Sequence, residues 1–315
     1  MLYGVLFALS ALMTYGVREW AKRKSFLDIP NARSSHQIPT PKGGGIAIVV
    51  SFYIGLWYLH SQVPPSLYGA LWCGVPIAIV SLVDDMVELS SRVRLLVQSV
   101  AVGGALYFMG GVSHLDFGWG MIEGAWLNGI AFVGMLWLIN LYNFMDGIDG
   151  YVAVETIIMG LVVWLFLGNI LGWILIASVG GFLMFNWHKA SIFMGDVGSA
   201  TIGFWVAVWV AYGSQHTELA IWLVPLILFL YDATVTLLRR WSNGESITQA
   251  HKKHAYQRLV QSGFSHAHVT LLLLGINLFL LLLLYVSPSK SMVLLVALGV
   301  AYVAMRYIDR KKAFV

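Results

Sequence analysis

The stretch AWLNGIAFVGMLWLINLYNFMDGIDG, residues 125–150, runs from hydrocarbon-like sequence into a cluster of amides, carboxylates and glycines. Its apolar part is close to the ~20 residues that a helix needs to span a bilayer. Its polar part carries Asn140, Asn143, Asp146 and Asp149, at the point where the hydrocarbon of a membrane would meet water. Polar groups at this depth are costly unless they bind something. The pattern therefore favours a binding site over the alternative, a capped helix end followed by a turn.

The composition of the whole chain indicates an integral membrane protein. Of its 315 residues, 59% are hydrophobic and only 11% are charged, which is far from the composition of soluble domains. We predict a single all-α, polytopic membrane domain over residues 1–315, with about ten or eleven transmembrane helices. The candidate spans are residues 1–17, 43–61, 66–83, 94–111, 125–143, 151–168, 170–186, 198–213, 217–237, 267–286 and 289–306.

The basic residues predict how these spans are oriented. All of the 19 lysines and arginines except Lys290 fall in loops on one side of the predicted membrane. The positive-inside rule makes that side cytoplasmic, so the N-terminus is expected outside and the C-terminus inside. The net charge of +4 then reflects membrane orientation, and no nucleic-acid partner is expected.

A pair of adjacent carboxylates, Asp84 and Asp85, ends the third span. Such neighbours repel each other unless a cation, a basic group or a shared proton compensates. A divalent ion or a proton-transfer role would fit the pair. The alternative is a solvated salt-bridge cluster with Arg92 and Arg94.

Two further aspartates lie near the cytoplasmic ends of spans. Asp196 is bracketed by glycines just before a span, and its oxygen chemistry matches that of the other acidic motifs. Carboxylate and amide oxygens without thiolates suit Mg²⁺, which takes few protein ligands and shares substrate phosphates. Asp232 stands two helical turns before Arg239, and a structural ion pair between them is expected rather than a catalytic role.

Two basic segments are candidates for phosphate binding. Lys42 precedes the glycines of residues 43–45, whose backbone N–H groups at the start of a span would favour an anion; an ordinary basic anchor is the alternative. His251 and His254 lie among cations in the polar segment 238–266. Arginine and lysine pair readily with phosphate, although attraction to anionic lipid would also explain this loop.

These motifs all fall at the predicted cytoplasmic face. They imply a metal-dependent, phosphate-rich site at the boundary between lipid and water. A site of this kind can join a water-soluble nucleotide to a lipid phosphate.

The same motifs, taken in order, resemble those of the polyprenyl-phosphate N-acetylhexosamine-1-phosphate transferases. The resemblance covers about residues 28–268 and rests on Pro-Lys-Gly-Gly-Gly at 41–45, Asp-Asp at 84–85, Asn-x-x-Asn-x-x-Asp-Gly-x-Asp-Gly at 140–150, Phe-Met-Gly-Asp-Val-Gly-Ser at 193–199 and the histidine loop. It implies transfer of a sugar 1-phosphate from a UDP-N-acetylhexosamine to undecaprenyl phosphate, with release of UMP. It also implies a bacterial inner-membrane location, and relatives are commonly homodimers.

The resemblance assigns roles to particular residues. Mg²⁺, with Mn²⁺ as the alternative, is expected on Asn143 and Asp196. The expected catalytic residues are Asp84, Asp85, Asp149 and His254. The expected substrate-binding residues are Lys42, Asn140, Asp146, Phe193, His251 and Arg258.

Two departures from the family pattern favour the branch that initiates O-antigen and related cell-surface polysaccharides over the peptidoglycan enzyme. The common cluster of three histidines is reduced here to His254, followed by Ala-Tyr-Gln, and Glu88 stands where the peptidoglycan enzyme has a lysine. Two rival functions are a secondary transporter of an anionic sugar or ion, and a lipid-binding scaffold without catalysis. The transporter would require charges near the bilayer midplane and an internal repeat, and the sequence shows neither.

Overall fold

The computed structural model describes residues 1–30, 35–87, 89–246, 249 and 251–314, and helices account for 73% of these described residues. Within these residues the helices are α1 (Leu2–Arg23), α2 (Gly45–Tyr58), α3 (Pro65–Trp72), α4 (Val75–Val87), α5 (Ser91–Met109), α6 (Leu127–Met145), α7 (Tyr151–Leu167), α8 (Leu171–Asn186), α9 (Asp196–Gly213), α10 (Leu219–Ser242), α11 (Ala255–Gln261), α12 (His266–Val286) and α13 (Lys290–Lys311). Two antiparallel pairs of short strands accompany them: β1 (Leu27–Asp28) with β2 (Thr40–Pro41), and β3 (His114–Asp116) with β4 (Met121–Glu123).

Every apolar segment predicted from the sequence is helical. The third segment is divided into α3 and α4 at Cys73 and Gly74, and each of the others matches one helix. Among the described residues, 5 helical segments are long and apolar enough to cross a membrane, namely Pro65–Val87, Leu127–Met145, Leu219–Ser242, His266–Val286 and Lys290–Lys311. Helices α2, α7 and α8 are apolar but shorter. The predicted all-α, polytopic membrane fold is therefore confirmed.

Local sequence signals explain where several helices begin and end. Ser90, Ser265 and Ser289 precede α5, α12 and α13, and each side chain accepts a hydrogen bond from a backbone N–H of the first turn. These caps satisfy donors that the first turn of a helix leaves unpaired. Gly110 ends α5 at a φ of +77°, in a left-handed conformation that glycine adopts without strain.

Helix α9 lies at the centre of the bundle, where it packs against α2, α4 and α6. Its residues 197–209 are all buried, and the ring of Trp205 stacks on Phe52 of α2 at a centroid distance of 3.9 Å. At the start of both helices, Gly45 and Gly198 touch so closely that a Cβ on Gly45 would lie 2.3 Å from the Cα of Gly198. This contact between two glycines fixes the N-termini of α2 and α9 side by side.

The helix ends that carry the polar motifs converge at one end of the bundle. Lys42 precedes α2, Asp85 and Asn143 lie near the ends of α4 and α6, and Asp196 and His266 begin α9 and α12. All five residues line one cavity. The helices therefore gather at a single face the motifs that the sequence distributes over more than two hundred residues.

A hairpin forms the connection between α5 and α6. Strands β3 and β4 pair so that Leu115 lies opposite Ile122.

Candidate functional site

A cavity of about 290 Å³, called the polar cavity below, opens where the ends of α4 and α6 meet the starts of α9 and α12. Its lining residues are Asp28, Ser35, His36, Lys42, Asp85, Asn143, Asp146, Gly147, Ile148, Asp149, Asn186, Phe193, Met194, Gly195, Asp196, Gln257 and His266. Four aspartates of the predicted motifs are among them, which makes the cavity strongly acidic.

Asn143 and Asp196 are direct neighbours on the cavity wall. The Nδ2 of Asn143 donates to Oδ1 of Asp196 at 2.8 Å and to Oγ of Ser199 at 3.2 Å. Both side chains thus lie close enough to contact one ion. Their amide and carboxylate oxygens are hard donors of the type that Mg²⁺ prefers.

Asp85 holds the N-terminus of α9 beside this pair. Its Oδ1 accepts the backbone N–H of Asp196 and its Oδ2 accepts that of Val197, both at 3.2 Å. Gly195, at a φ of +75°, passes so close that a Cβ would lie 2.7 Å from Oδ2 of Asp85. A carboxylate at a helix N-terminus is stabilised by the unpaired N–H groups and by the helix dipole, which explains why an acidic side chain is tolerated here.

Asp84 is not among the residues that line the polar cavity, although it adjoins Asp85 in the sequence. It is buried, and its Oδ2 accepts a hydrogen bond from Nη1 of Arg94 at 2.9 Å. The same Nη1 lies 3.2 Å from Oδ2 of Asp196. Arg94 therefore connects Asp84 to the ion-binding pair, and the salt bridge that the sequence left as the alternative for this motif is present.

The pKa of the half-buried Asp146 depends on burial and on the other acids of the cavity. Burial raises its pKa well above the usual range, and the negative charges of Asp196, Asp85 and Asp149 add to this effect. A carboxyl group so placed takes up a proton unless a cation arrives. The polar cavity is thus electrostatically suited to a divalent cation.

The environment of Asp149, unlike that of Asp146, favours the ionised carboxylate. The Nδ1 atoms of His188 and His266 lie 2.9 and 3.1 Å from its Oδ2, and the backbone N–H of Ala190 donates to the same oxygen at 3.3 Å. Burial opposes ionisation, but the hydrogen bonds from His266 and His188 outweigh it and lower the pKa of Asp149. Asp149 is therefore ionised near neutral pH, and its position is fixed by three contacts.

The ligand atoms of Asp149, His188 and His266 lie within 4.8 Å of one another, close enough to hold a metal ion. Two imidazoles and one carboxylate suit zinc-like ions better than magnesium. The hydrogen bonds already satisfy this cluster, so the pair Asn143 and Asp196 remains the better site for Mg²⁺.

Two of the three glycines after Lys42 have backbone N–H groups that are not free to bind an anion. The N–H of Gly44 donates to the carbonyl of Phe193 at 2.9 Å, and that of Gly45 donates to the carbonyl of Met194 at 2.8 Å. These two N–H groups join the segment to the loop before α9. Lys42 itself lines the polar cavity, as does Phe193.

The residues predicted in the histidine loop lie beside the cavity rather than in its lining. His254 is buried, with Nδ1 3.4 Å from Oδ1 of Asp232. Burial, and then the neighbouring His254 and Arg240, lower the pKa of His251 to about 4, so this imidazole is neutral at pH 7. Arg258 is buried against Asp309 of α13.

The structure does not support the predicted positions of Asn140 and of the Asp232–Arg239 ion pair, and it does not describe Glu88. Asn140 turns away from the polar cavity and donates to Oε1 of Gln98 at 3.1 Å. The expected ion pair between Asp232 and Arg239 is wrong, because Asp232 accepts backbone N–H groups of α11 and Arg239 binds Asp309. Glu88, which distinguishes the branches of the family, lies outside the described residues.

Several residues of the site were missed by sequence reasoning. Arg94 was considered only as part of a solvated cluster, and no role was predicted for His266. His188 and Gln257 carried no signal, because their roles depend on partners far away in the chain. Within the bundle, Glu155 was also missed; it is buried, and Nδ2 of Asn277 donates to its Oε2 at 2.5 Å.

Comparison with known proteins gives the same family as the motifs. A family model described as glycosyl transferase family 4 matches residues 67–214. The "Probable undecaprenyl-phosphate N-acetylglucosaminyl 1-phosphate transferase" of Bacillus subtilis is 29% identical over 277 residues, which cover 81% of this chain and 75% of the relative.

Two other relatives agree. The "Undecaprenyl-phosphate alpha-N-acetylglucosaminyl 1-phosphate transferase" of Escherichia coli K12 is 27% identical over 285 residues, covering 82% of this chain and 76% of its own length. The "Decaprenyl-phosphate N-acetylglucosaminephosphotransferase" of Mycobacterium tuberculosis H37Rv is 28% identical over 321 residues, covering 84% and 77%. These similarities agree with the ordered motifs and the fold, and they support a place for the chain among the polyprenyl-phosphate N-acetylhexosamine-1-phosphate transferases.

Proposed function

We propose that this protein transfers an N-acetylhexosamine 1-phosphate from a UDP-sugar to a polyprenyl phosphate. An oxygen of the lipid phosphate attacks the sugar-linked phosphorus, the bond to the bridging oxygen breaks, and UMP leaves. The observation that carries this proposal is the meeting of Asn143 with Asp196 in a cavity lined by Lys42 and four further aspartates. Phosphoryl transfer depends mainly on positioning and on neutralising charge, and these residues offer both.

Mg²⁺ is the proposed cofactor, with Mn²⁺ as the alternative. Asn143 and Asp196 would hold it, since their oxygen donors are adjacent and the surrounding acids favour a cation. When bound, the ion would neutralise negative charge on the diphosphate. Arg94, which contacts Asp84 and Asp196, keeps the carboxylate of Asp196 in place.

The substrate groups are assigned by the residues that face the cavity. Lys42 supplies a positive charge for a phosphate, and Asp85 stands beside it on the acceptor side. Asp146 and the fixed carboxylate of Asp149 form the donor side, where Gln257 of α11 also lines the wall. Phe193 offers an aromatic face near the same wall, and its ring lies 4.8 Å from His36.

The names of the relatives make N-acetylglucosamine the first sugar to test and undecaprenyl phosphate the first acceptor. We propose that the reaction begins O-antigen or a related surface polysaccharide. We also propose that the protein lies in the bacterial inner membrane with the polar cavity facing the cytoplasm, as a single domain that forms homodimers.

The reaction can be tested with purified protein, Mg²⁺, undecaprenyl phosphate and a panel of UDP-N-acetylhexosamines. We expect UMP release that requires both substrates and the metal. Binding of either substrate without turnover would instead favour a lipid-binding scaffold, and substrate uptake into sealed vesicles would favour a transporter. The transporter has little support, since the buried Glu155 is held by Asn277 and does not line the polar cavity.

The proposed orientation can be tested by cysteine labelling in a Cys73→Ser background. Asn243 and Met121 are both exposed, and they lie at opposite ends of the bundle. We therefore expect Asn243→Cys to react from the cytoplasmic side and Met121→Cys to react from the outer side. Labelling of both from one side would contradict the orientation.

A further inference from the structure

The C-terminal helix is joined to the cavity wall through one buried arginine. Arg258 lies on the short helix α11, with only 3% of its side chain exposed. Its Nη1 donates to Oδ1 of Asp309 at 2.8 Å and to the carbonyl of Lys312 at 2.9 Å, and its Nη2 lies 3.1 Å from Sδ of Met305. Every one of these partners belongs to α13 or to the residue that follows it.

Asp309 also binds a second arginine, on a different helix. Nη1 and Nη2 of Arg239, on α10, donate to its two oxygens, each at 2.8 Å. Bidentate contacts of this kind fix geometry as well as charge. The single carboxylate of Asp309 therefore holds α10, α11 and α13 together.

An aromatic ring closes the same junction from the other side. The ring centroid of Phe314 lies 5.4 Å from the guanidinium carbons of both Arg239 and Arg258, and 5.7 Å from Nζ of Lys253. Cations over an aromatic face are attracted to it, more strongly where water is excluded. The chain end thus adds to the anchoring of α11.

The opposite side of α11 contacts the polar cavity. Gln257 lines the cavity, and its Oε1 accepts the N–H of His254 at 3.3 Å. The hydroxyl of Tyr256 donates to the carbonyl of Phe144 at 3.0 Å, in the segment that joins Asn143 to Asp146. A shift of α11 would therefore move the wall that faces the donor.

We propose that Asp309 is a positioning residue for the donor-facing wall of the polar cavity, and that it acts through Arg258 on α11. Asp309 touches no substrate; without it, two arginines at the junction lose their shared partner. Since Asp232 holds only the first N–H groups of α11, the outer side of this short helix depends on the Arg258 contact. The kinetic consequence rests on the proposed function, but the placement of α11 does not.

The test compares Asp309→Asn with Arg239→Gln. Both variants weaken contacts of Asp309, but only the first removes the negative charge that Arg258 binds. We expect Asp309→Asn to raise the KM for UDP-N-acetylglucosamine by about tenfold, because small misplacements of positioning groups have large effects. The KM for undecaprenyl phosphate should stay within about twofold, and Asp309→Glu should restore most of the donor affinity.

Amide hydrogen exchange of residues 254–261 supplies a readout that needs no substrate. It should speed up in Asp309→Asn and stay at the wild-type rate in Arg239→Gln. Equal exchange rates and equal donor KM in these two variants would overturn the proposal. If Asp309→Asn fails to fold, Arg258→Lys replaces it, since lysine cannot reach all three α13 partners; unchanged exchange in that variant also overturns the proposal.

The two hypotheses fail in different ways. If the wild-type protein releases no UMP but exchange responds as expected, the positioning role stands and the proposed function fails. If the wild type is active and neither exchange nor donor KM responds, the positioning role alone is wrong.

Discussion

The amide nitrogen of Asn143 lies 2.8 Å from a carboxylate oxygen of Asp196, although the two residues are 53 positions apart in the chain. One ends α6 and the other begins α9, so their contact requires these helices to run side by side in opposite directions. Ser199, one turn into α9, receives a second hydrogen bond from the same amide. The relationship brings together two motifs that the sequence could only list separately.

Removing either member of this pair should abolish metal-dependent turnover. We expect Asp196→Asn and Asn143→Ala to lower kcat by at least about a hundredfold, because metal stabilisation of a phosphoryl group supplies several kcal/mol. Both variants should also bind Mg²⁺ more weakly, as measured by calorimetry. The exposed Glu123→Gln, on the outer hairpin, is the control. Undiminished UMP release from Asp196→Asn would remove the proposed metal site.

Mg²⁺ binding should release a proton from Asp146. Burial and the neighbouring carboxylates raise the pKa of this group, so it keeps its proton to a higher pH than a free carboxyl group does, and an incoming cation lowers that pKa. The apparent Mg²⁺ affinity should therefore rise with pH, by up to about tenfold per pH unit for one proton. Calorimetry in two buffers with different ionisation enthalpies measures the proton count. A count of zero in the wild type, or an unchanged count in Asp146→Asn, would contradict this assignment.

The histidines around Asp149 should set the acid limit of activity. Hydrogen bonds from His266 and His188 keep the pKa of Asp149 below its usual range, so its charged form survives into acid. In His188→Gln or His266→Asn that pKa rises, and the acid limb of the kcat profile should move to higher pH. We also expect kcat at neutral pH to fall by about tenfold or more, because the carboxylate loses a fixed position.

The control for these variants is His268→Gln. His268 lies two residues along α12 from His266 but is exposed, and its Nδ1 is hydrogen-bonded to Oγ of the cap residue Ser265 at 2.8 Å. Its pH profile should match the wild type. A shift of the same size in His268→Gln would mean that the effect arises from α12 as a whole.

The contact between Gly45 and Gly198 should tolerate no side chain. A Cβ on Gly45 would lie 2.3 Å from backbone of α9, and overpacking of this kind costs about 1–3 kcal/mol or more. We expect Gly45→Ala to lower the Tm in detergent and to reduce activity, because the start of α9 carries Asp196. Gly103→Ala is the matched control, since nothing lies within 4 Å of a Cβ at that helical glycine. Equal Tm values for the two variants would contradict this account of the packing.

The local sequence pattern was sufficient to predict the apolar helices, but it did not predict the break within the third span or the short helix α11. The division of the third span at Cys73 and Gly74, and the short helix α11 in the polar segment after α10, were not predicted. Hydropathy measures the preference of a segment for lipid. It gives no information about where a helix is interrupted, because that depends on how the helix packs against its neighbours. The N–H groups of Gly44 and Gly45 were misread for the same reason, because their partners in the loop before α9 lie about 150 residues away.

The sequence by itself determined the fold class, the approximate spans and the residue types of the site, because hydropathy, charge and short motifs are local properties of the chain. Only the tertiary structure decided that Asp84 turns to Arg94 while Asp85 faces the cavity, that His188 and His266 share Asp149, and that Arg258 belongs to Asp309. These choices depend on the distances between groups on different helices. A hydrogen bond requires its donor and acceptor to lie about 3 Å apart, and packing of the helices alone sets that distance.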